Sequence, residues 1–255
     1  MKTLFIGQNA VHLKAAESTN SYATGMLRQI SLPEGTIFYT FEQTKGRGQR
    51  GNVWESEPNK NVALSLVLHP TFITAEKQFV LTKALSLAVS DLMSELIVAA
   101  GKSEKVSIKW PNDIYIGTKK IAGILIENVL RENVIQTSVV GVGINVNQIV
   151  FSENLKQATS LSLLTSQEYD LQKVMGRLCE FLEARYLQLK THKLEMIDGQ
   201  YIQLLYKLNV WSDFESEGKK FEGKIINVSP SGKLCVELRS TDIKEFDLKE
   251  IAFAN

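Results

Sequence analysis

A glycine-rich, basic loop is the segment of this sequence whose residue types most clearly suggest chemistry. It combines three glycines with three basic residues: Gly46, Gly48 and Gly51 with Lys45, Arg47 and Arg50. Glycines allow backbone N–H groups to approach an anion, and guanidinium groups bind carboxylates and phosphates through paired hydrogen bonds. The loop therefore predicts an anion-binding site, and a solvated basic turn is the alternative for the loop taken alone.

The same loop contains the pattern G-x-G-x-x-G, which also occurs in dinucleotide-binding folds and in kinases. A dinucleotide-binding fold needs a helix after the loop to receive the pyrophosphate, but residues 55–61 lead into another predicted strand. A kinase needs the motifs V-A-I-K, H-R-D and D-F-G, and the sequence contains none of them. Both interpretations are therefore disfavoured.

Two further kinds of segment could serve the same site. Residues 109–113 read Lys-Trp-Pro-Asn-Asp, and Lys109 closes an alternating apolar run, so we expect its stem to pack and its ammonium to point into a cleft. Small residues interrupt two predicted strands at Gly123, Gly141 and Gly143. A ligand or another backbone can come close at such positions, and packing within a sheet is the alternative.

The elements that must position these residues follow from residue patterns. β-branched and aromatic residues bounded by Gly, Pro and Asn predict strands at residues 37–41, 62–68, 106–110, 121–128 and 134–146. Apolar residues at helical spacing predict helices at 75–96 and at about 170–190. Short links between the strands from 106 to 146 favour antiparallel pairing and an α+β fold.

After about residue 206 the pattern changes to four short predicted strands without a helix, at 208–214, 221–228, 233–238 and 243–248. This predicts a small β-barrel at 206–255 that follows a main domain at 1–205. The barrel contains eight basic and nine acidic residues, so its net charge is 8 − 9 = −1. A charge of this sign disfavours a nucleic-acid-binding barrel.

The composition of the whole chain excludes several classes of protein. With 29 basic and 28 acidic residues among 255, the net charge is +1, which argues against broad binding to nucleic acid. The two cysteines, Cys179 and Cys235, exclude a disulfide framework and lack the spacing of a zinc site. No signal peptide and no apolar run of roughly 20 residues is present. We therefore expect a cytoplasmic protein without membrane contact.

Five segments, taken in order, resemble the biotin protein ligases: Glu17–Asn20, Gly46–Gly51 with Trp54, Lys109–Asp113, Lys120–Glu127 and Gly141–Asn147. The resemblance implies a mixed sheet flanked by helices, related to the class II aminoacyl-tRNA synthetases, and a C-terminal SH3-like barrel. It also implies two reaction steps: biotin and ATP form biotinyl-5′-AMP, and a lysine of a biotin carboxyl carrier domain then takes the biotinyl group. Forming an acyl-adenylate brings two anions together, which suits a site that supplies cations rather than a nucleophile.

The resemblance also implies roles for individual residues. Those expected to bind biotin are Ser18, Thr19, Asn20, Gln43, Arg47, Gly48, Gln49, Lys109 and Gly123. Those expected to contact the nucleotide are Arg50, Trp54, Asn112 and Asn145, with Trp54 stacking on adenine. Lys109, bridging the biotin carboxylate and the α-phosphate, is the first choice as catalytic residue, together with Arg47. Mg²⁺ would neutralise the polyphosphate, with Asp113 as its candidate ligand.

The sequence departs from the family pattern in one position, because Gln49 stands where an Arg is common. The Ser-Thr-Asn segment begins at residue 18, so we expect a short form without a DNA-binding winged helix. A lipoate or octanoate ligase or transferase on the same fold is the main alternative. A catalytically silent adenylate binder or a nucleic-acid protein is a further one, and the resemblance leaves a homodimer through a sheet edge open.

Overall fold

A mixed sheet organises the larger part of the chain. The computed structural model describes residues 2–191 and 193–254, and of Arg50 it describes the backbone. Up to residue 145 the strands are β1 (Ala10–His12), β2 (Ile37–Thr40), β3 (Gly46–Arg47), β4 (Val53–Trp54), β5 (Asn61–Leu68), β6 (Val106–Lys109), β7 (Asp113–Ile116), β8 (Lys119–Arg131) and β9 (Val134–Asn145). The sheet order is β1-β2-β5-β9-β8-β7-β6, with only the β1–β2 pair parallel. β3 and β4 form a separate hairpin.

Helices cover both faces of this sheet. The described residues form α1 (Thr19–Leu27), α2 (Phe79–Ala99), α3 (Leu161–Thr165), α4 (Leu171–Lys190) and α5 (Leu194–Gln203). Ala23 of α1 packs in a small cluster with Phe38, Val67 and Val139. The neighbouring residues Ile37 and Leu66 belong instead to the main core, which α2 and α4 complete. Because successive strand residues point to opposite faces, the apolar strands support a core on each side.

The chain after residue 210 forms a second sheet that is antiparallel throughout. Its strands are β10 (Trp211–Ser216), β11 (Lys219–Val228), β12 (Leu234–Leu238), β13 (Ile243–Phe246) and β14 (Ala252–Phe253), in the order β13-β12-β11-β10-β14. The indole N–H of Trp110 donates to the carbonyl of Gly232 (2.9 Å). A Cβ at Gly232 would lie 2.6 Å from the Phe79 ring, so a glycine permits this close docking. The second sheet is thus seated beside residues 110–113.

The predicted fold class is confirmed, since a mixed sheet with flanking helices is followed by a separate antiparallel sheet. The five strands predicted up to residue 146 correspond to β2, β5, β6, β8 and β9, and the expected antiparallel pairing is present. The predicted helix at 75–96 begins instead with a 3-10 turn at Ala75–Lys77, followed by α2. No helix within the described residues is both long enough and apolar enough to cross a membrane.

Several described elements are not predicted by the sequence pattern, among them α1, β7 and α5. α1 is nine residues long and two of its three buried residues are polar, and β7 is four residues long and follows a proline bend. The domain division at 205/206 stays a prediction. The backbone of Ile108 in β6 pairs with Leu204 and Tyr206 (2.7 and 2.9 Å), so the linker to the second sheet runs along the edge of the first.

Candidate active site

A cavity of about 220 Å³ lies where the β3–β4 hairpin covers the mixed sheet, and we call it the first cavity. Eleven of the fourteen residues predicted for the site line it: Ser18, Thr19, Asn20, Gln43, Arg47, Gly48, Gln49, Trp54, Asn112, Asp113 and Gly123. The side chain of Arg50 lies outside the described part of the structure, and Lys109 and Asn145 do not line this cavity. The glycine loop, the N-terminus of α1 and the bend at 110–113 therefore meet at one place.

Small residues on adjacent strands form the floor of the first cavity. Ala63 of β5, Gly143 of β9 and Gly123 of β8 are paired in register across the sheet. The indole of Trp54 lies against this floor, and a Cβ at Gly143 would be 2.6 Å from it. The close approach of the indole therefore requires a glycine at position 143. Gly123 and Gly143 thus make room for Trp54 in addition to lining the first cavity. The indole N–H of Trp54 is buried without a partner among the described residues.

The polar groups at the N-terminus of α1 hold one another in fixed orientations. Thr19 N–H donates to Gln43 Oε1 (2.9 Å). Asn20 Oδ1 accepts from Ser65 Oγ (2.6 Å), and Asn20 Nδ2 donates to Glu127 Oε2 (3.0 Å). A Cβ at Gly141 would be 2.4 Å from Asn20 Oδ1, so this glycine admits the amide. A rigid set of donors and acceptors of this kind suits recognition of a small neutral polar ring.

Arg47 crosses from the hairpin to the sheet. Its NH2 group donates to Glu127 Oε1 (2.9 Å), and its NH1 group approaches Ser21 Oγ (3.3 Å). About half of the Arg47 side chain is exposed, and it lines the first cavity. Arg47, Lys120 and Lys249 are the cations among the described side chains that line this cavity. They can stabilise the negative charge of a carboxylate or a phosphate held there.

Lys120 is a candidate site residue to which the sequence alone gave no role. Its ammonium lies 2.6 Å from Asp113 Oδ1 and 5.6 Å from the centre of the Trp54 ring system. In the sequence, Lys120 begins one of the five segments that carry the family resemblance, and Gly123 is the residue of that segment for which a role was expected. The available signal was the short turn at 117–118, because a tight hairpin between two strands brings charged residues on either side of it together.

The predicted metal ligand Asp113 is engaged by Lys120, and the described residues contain no group of three or more His, Cys, Asp or Glu side chains that could hold a metal ion. These residues do not fit a protein-held Mg²⁺, which usually needs carboxylates free to bind it directly or through water. The geometry instead makes Asp113 the partner that positions the Lys120 ammonium.

A second cavity, of about 830 Å³, lies between the β6–β7 edge, residues 153–158 and the C-terminal sheet. The aromatic residues Tyr115, Tyr206 and Phe253 line it, together with three lysines: Lys109, Lys120 and Lys156. Among its described lining residues, Glu153 is the one acidic side chain. The second cavity therefore combines aromatic rings with an excess of positive charge. Trp110, Lys120 and Leu248 line both cavities, so the two adjoin each other there.

Lys109 belongs to the second cavity. Its ammonium lies 5.3 Å from the centre of the Tyr115 ring and 5.6 Å from that of Phe253. Burial lowers the pKa of Lys109 below its usual range, the carboxylate of Asp113 opposes this effect, and the positive charges of Lys120 and Lys207 add to it. The expectation that its ammonium points into a cleft agrees with this placement. Lys109 lines the second cavity and does not line the first, and its predicted contact with biotin stays a prediction.

The two predicted asparagines support the backbone around the cavities. Asn112 Nδ2 donates to the carbonyl of Ile124 in β8, and Asn145 Nδ2 donates to the carbonyl of Thr159 (3.0 Å). Asn145 is buried, and its Oδ1 has no partner among the described residues. Asn145 thus holds the segment that follows Gln157 and Ala158, which line the second cavity.

Comparison with known proteins gives consistent results. The model of the biotin/lipoate A/B protein ligase family matches residues 13–145. The bifunctional ligase/repressor BirA of Bacillus subtilis is 33% identical over 242 residues, which cover 93% of this chain and 72% of that protein. The biotin–acetyl-CoA-carboxylase ligase of Mycobacterium tuberculosis is 30% identical over 209 residues, with coverages of 80% and 74%. The structure of a biotin protein ligase from Aquifex aeolicus in complex with biotin and ATP superposes with a TM-score of 0.78, at 28% identity, over 97% of this chain and 99% of that one.

Proposed function

We propose how this chain, which belongs to the biotin/lipoate A/B protein ligase family, uses its two cavities. Its function as an ATP-dependent biotin protein ligase follows from that membership, from the ligases among its relatives, and from the neighbour bound to biotin and ATP. We place biotin in the first cavity and ATP in the second. The biotin carboxylate and the α-phosphate then meet where the cavities adjoin, at Lys120.

The walls of the first cavity support its assignment to biotin. The fixed polar groups of Thr19, Asn20 and Gln43 match the alternating donors and acceptors of a cyclic urea. The resemblance implied that Trp54 stacks on adenine. We propose instead that its indole, which lines the first cavity, and the glycine floor provide an apolar surface for the rest of a bicyclic ring. A small volume with a few fixed polar groups is typical of a site for a compact neutral ring.

The second cavity supports an assignment to ATP through its rings and lysines. Tyr115, Tyr206 and Phe253 can pack against a base, and Lys109 and Lys156 can bind phosphates. ATP enters as its Mg²⁺ complex, and the metal ion is then part of the substrate. We retain Lys109 as a phosphate-binding residue and Arg47 as the cation that covers the carboxylate and the adenylate.

The observation that carries the proposal is the position of Lys120 on both cavities. In the first step a carboxylate oxygen attacks the α-phosphorus, and the bond to pyrophosphate breaks. Lys120, held by Asp113, offsets the negative charge that develops between the two anions. In the second step a lysine amine of the carboxyl carrier protein attacks the acyl carbon, AMP leaves, and the amine loses its proton.

Release of pyrophosphate from ATP tests this function. With biotin and MgATP the purified protein should release pyrophosphate and form biotinyl-5′-AMP, and a carboxyl carrier domain with its acceptor lysine should then become biotinylated. A carrier with that lysine changed to Arg is the control and should stay unmodified. Turnover with lipoate or octanoate and none with biotin would contradict the proposal and favour the alternative acyl ligase.

A further inference from the structure

Glu127 joins three elements around the first cavity without lining the cavity itself. It lies on β8, where one carboxylate oxygen accepts from Asn20 of α1 (3.0 Å) and the other accepts from Arg47 of the hairpin (2.9 Å). Arg47 lines the cavity and Glu127 does not. A side chain in this position acts on a ligand through the groups that it holds, so its role is that of a positioning residue.

Asn20 and Arg47, the two partners of Glu127, differ in the hydrogen bonds that each would keep without it. Asn20 keeps a 2.6 Å hydrogen bond from Ser65 and a weaker one to the carbonyl of Leu125 (3.3 Å) if Glu127 is lost. Arg47 keeps a 3.3 Å contact with Ser21. The guanidinium therefore depends on Glu127 for its position across the cavity, whereas the amide of Asn20 does not.

We propose that Glu127 is the latch of the first cavity: it fixes Arg47 across the mouth, and this contact retains an acyl-adenylate bound beneath the hairpin. The ion pair ties the loop, which enters through β3, to the sheet. Gln49 is uncharged and forms no ion pair. Among the described residues, Arg47–Glu127 is the ion pair that joins the glycine loop to β8. The proposal relies on the proposed function for the identity of the ligand.

The first arm of the test uses the free protein and is independent of the proposed function. Glu127→Gln offers one acceptor oxygen to two donors, so Arg47 loses its charged partner. Amide hydrogen exchange across residues 46–54 should become about threefold to tenfold faster in this variant, as expected for loss of one half-exposed ion pair.

Glu17→Gln is the matched control for this arm. It makes the same chemical change in the ion pair between Glu17 and Lys45 (2.6 Å), which also involves the glycine loop but is largely exposed on both sides. Exchange across the hairpin should stay at the wild-type rate in this control. If amide exchange across residues 46–54 also stays at the wild-type rate in Glu127→Gln, the proposal that Glu127 holds the hairpin is wrong.

The second arm measures release of biotinyl-5′-AMP that is supplied ready-made and then chased with excess unlabelled compound. Glu127→Gln should release it about threefold to tenfold faster, while the KM for biotin changes less than about twofold because Asn20 keeps Ser65. Glu17→Gln should release it at the wild-type rate. Unchanged release from Glu127→Gln, or an equal rise in the biotin KM, would overturn the role in retention.

A double-mutant cycle assigns the effect to Arg47. In an Arg47→Gln background, the further change Glu127→Gln should leave the release rate unaltered, because the pair has already been broken. The same acceleration in both backgrounds would overturn the proposal, since Glu127 would then act by another route. A protein that neither forms nor binds biotinyl-5′-AMP would instead contradict the proposed function, and the exchange arm would still decide the latch.

Discussion

The two cavities differ in how their polar side chains are satisfied. In the first cavity, the polar groups at the N-terminus of α1 and the cations Arg47 and Lys120 have partners within the protein. In the second, Lys109 forms no salt bridge with a described carboxylate, and aromatic rings surround its ammonium. Arg47 and Lys120 of the first cavity are thus paired with carboxylates before a ligand arrives, whereas Lys109 of the second cavity is not.

This difference matches what each proposed ligand brings. A cyclic urea is neutral, and rigid hydrogen-bonding groups recognise it at a small entropic cost. A nucleoside triphosphate carries several negative charges, and lysines that lack carboxylate partners gain the most from binding it. Lys120 shares a feature with each cavity: it is paired with a carboxylate, Asp113, like Arg47 in the first cavity, and it also lines the second.

The largest effect should come from removing the cation at the junction. Lys120→Gln keeps a side chain of similar length but leaves the carboxylate and the α-phosphate without the charge that offsets their repulsion. The rate of biotinyl-5′-AMP formation should fall by about 10²- to 10³-fold. Single-turnover release of pyrophosphate from saturating biotin and ATP measures this rate.

Lys109→Gln is the comparison for that variant, because Lys109 lines only the second cavity, whereas Lys120 lines both. It should raise the KM for ATP by about tenfold and change the adenylation rate at saturation much less. If Lys109→Gln abolishes adenylation and Lys120→Gln does not, the roles of the two lysines are reversed and the sequence-based choice of Lys109 as catalytic residue is restored.

A smaller effect, confined to the first cavity, should follow from filling its floor. Gly143→Ala places a methyl group 2.6 Å from the Trp54 indole, so the indole must move. The KM for biotin should rise about tenfold or more, the usual consequence of overpacking a tight contact, while the KM for ATP stays within about twofold. Steady-state kinetics with each substrate varied in turn separates the two.

Gly199→Ala is the control for this substitution. Gly199 lies in α5 with open space around it, and alanine favours a helix, so both KM values should stay unchanged and stability should rise slightly. A parallel rise of both KM values in Gly143→Ala would show that the two cavities do not bind their ligands independently.

The sequence could predict the strands and the glycine loop because their signals are local. β5 is buried along its whole length and mostly apolar, and β8 and β9 are long runs rich in β-branched residues, so the residue pattern identifies each without knowledge of its neighbours. α1 lacks such a signal, since it exposes much of its surface and its buried residues include Thr19 and Asn20. Thr19 finds its partners in Gln43 and in Ser65 of β5, and Asn20 finds a partner on β8 and space beside Gly141 of β9. The local sequence does not reveal these contacts.

Which cavity each of the two lysines lines could not be predicted from the sequence because it depends on strand register. β7 and β8 pair with an irregularity between Ile114 and Tyr115, which alters the relation between position along the strand and position across it. Lys120 is thereby brought to Asp113 and the first cavity, and Lys109 to the rings of Tyr115 and Phe253. The pairing of Asn145 with Thr159 similarly depends on a contact between separate segments.

The smallest predicted effect is a pH dependence that only the second cavity should show. Because burial lowers the pKa of Lys109 from its usual 10.5, this lysine loses its proton at a lower pH than a free lysine does. Bound phosphates favour the protonated form, so the KM for ATP should rise by about threefold to tenfold as the pH increases through the lowered pKa. Lys109→Gln should remove this rise, and the KM for biotin should not share it.

Stability supplies an independent measurement of the same titration. Between the lowered pKa of folded Lys109 and 10.5, the unfolded chain binds more protons at this residue than the folded chain does. The contribution of Lys109 to the free energy of unfolding must therefore increase with pH in that interval. Urea unfolding of the wild-type protein and of Lys109→Gln should show a difference that shifts in favour of the wild type as the pH rises. A difference independent of pH would mean that the Lys109 ammonium is as well solvated as an exposed lysine, and the contrast between the two cavities would then not extend to this residue.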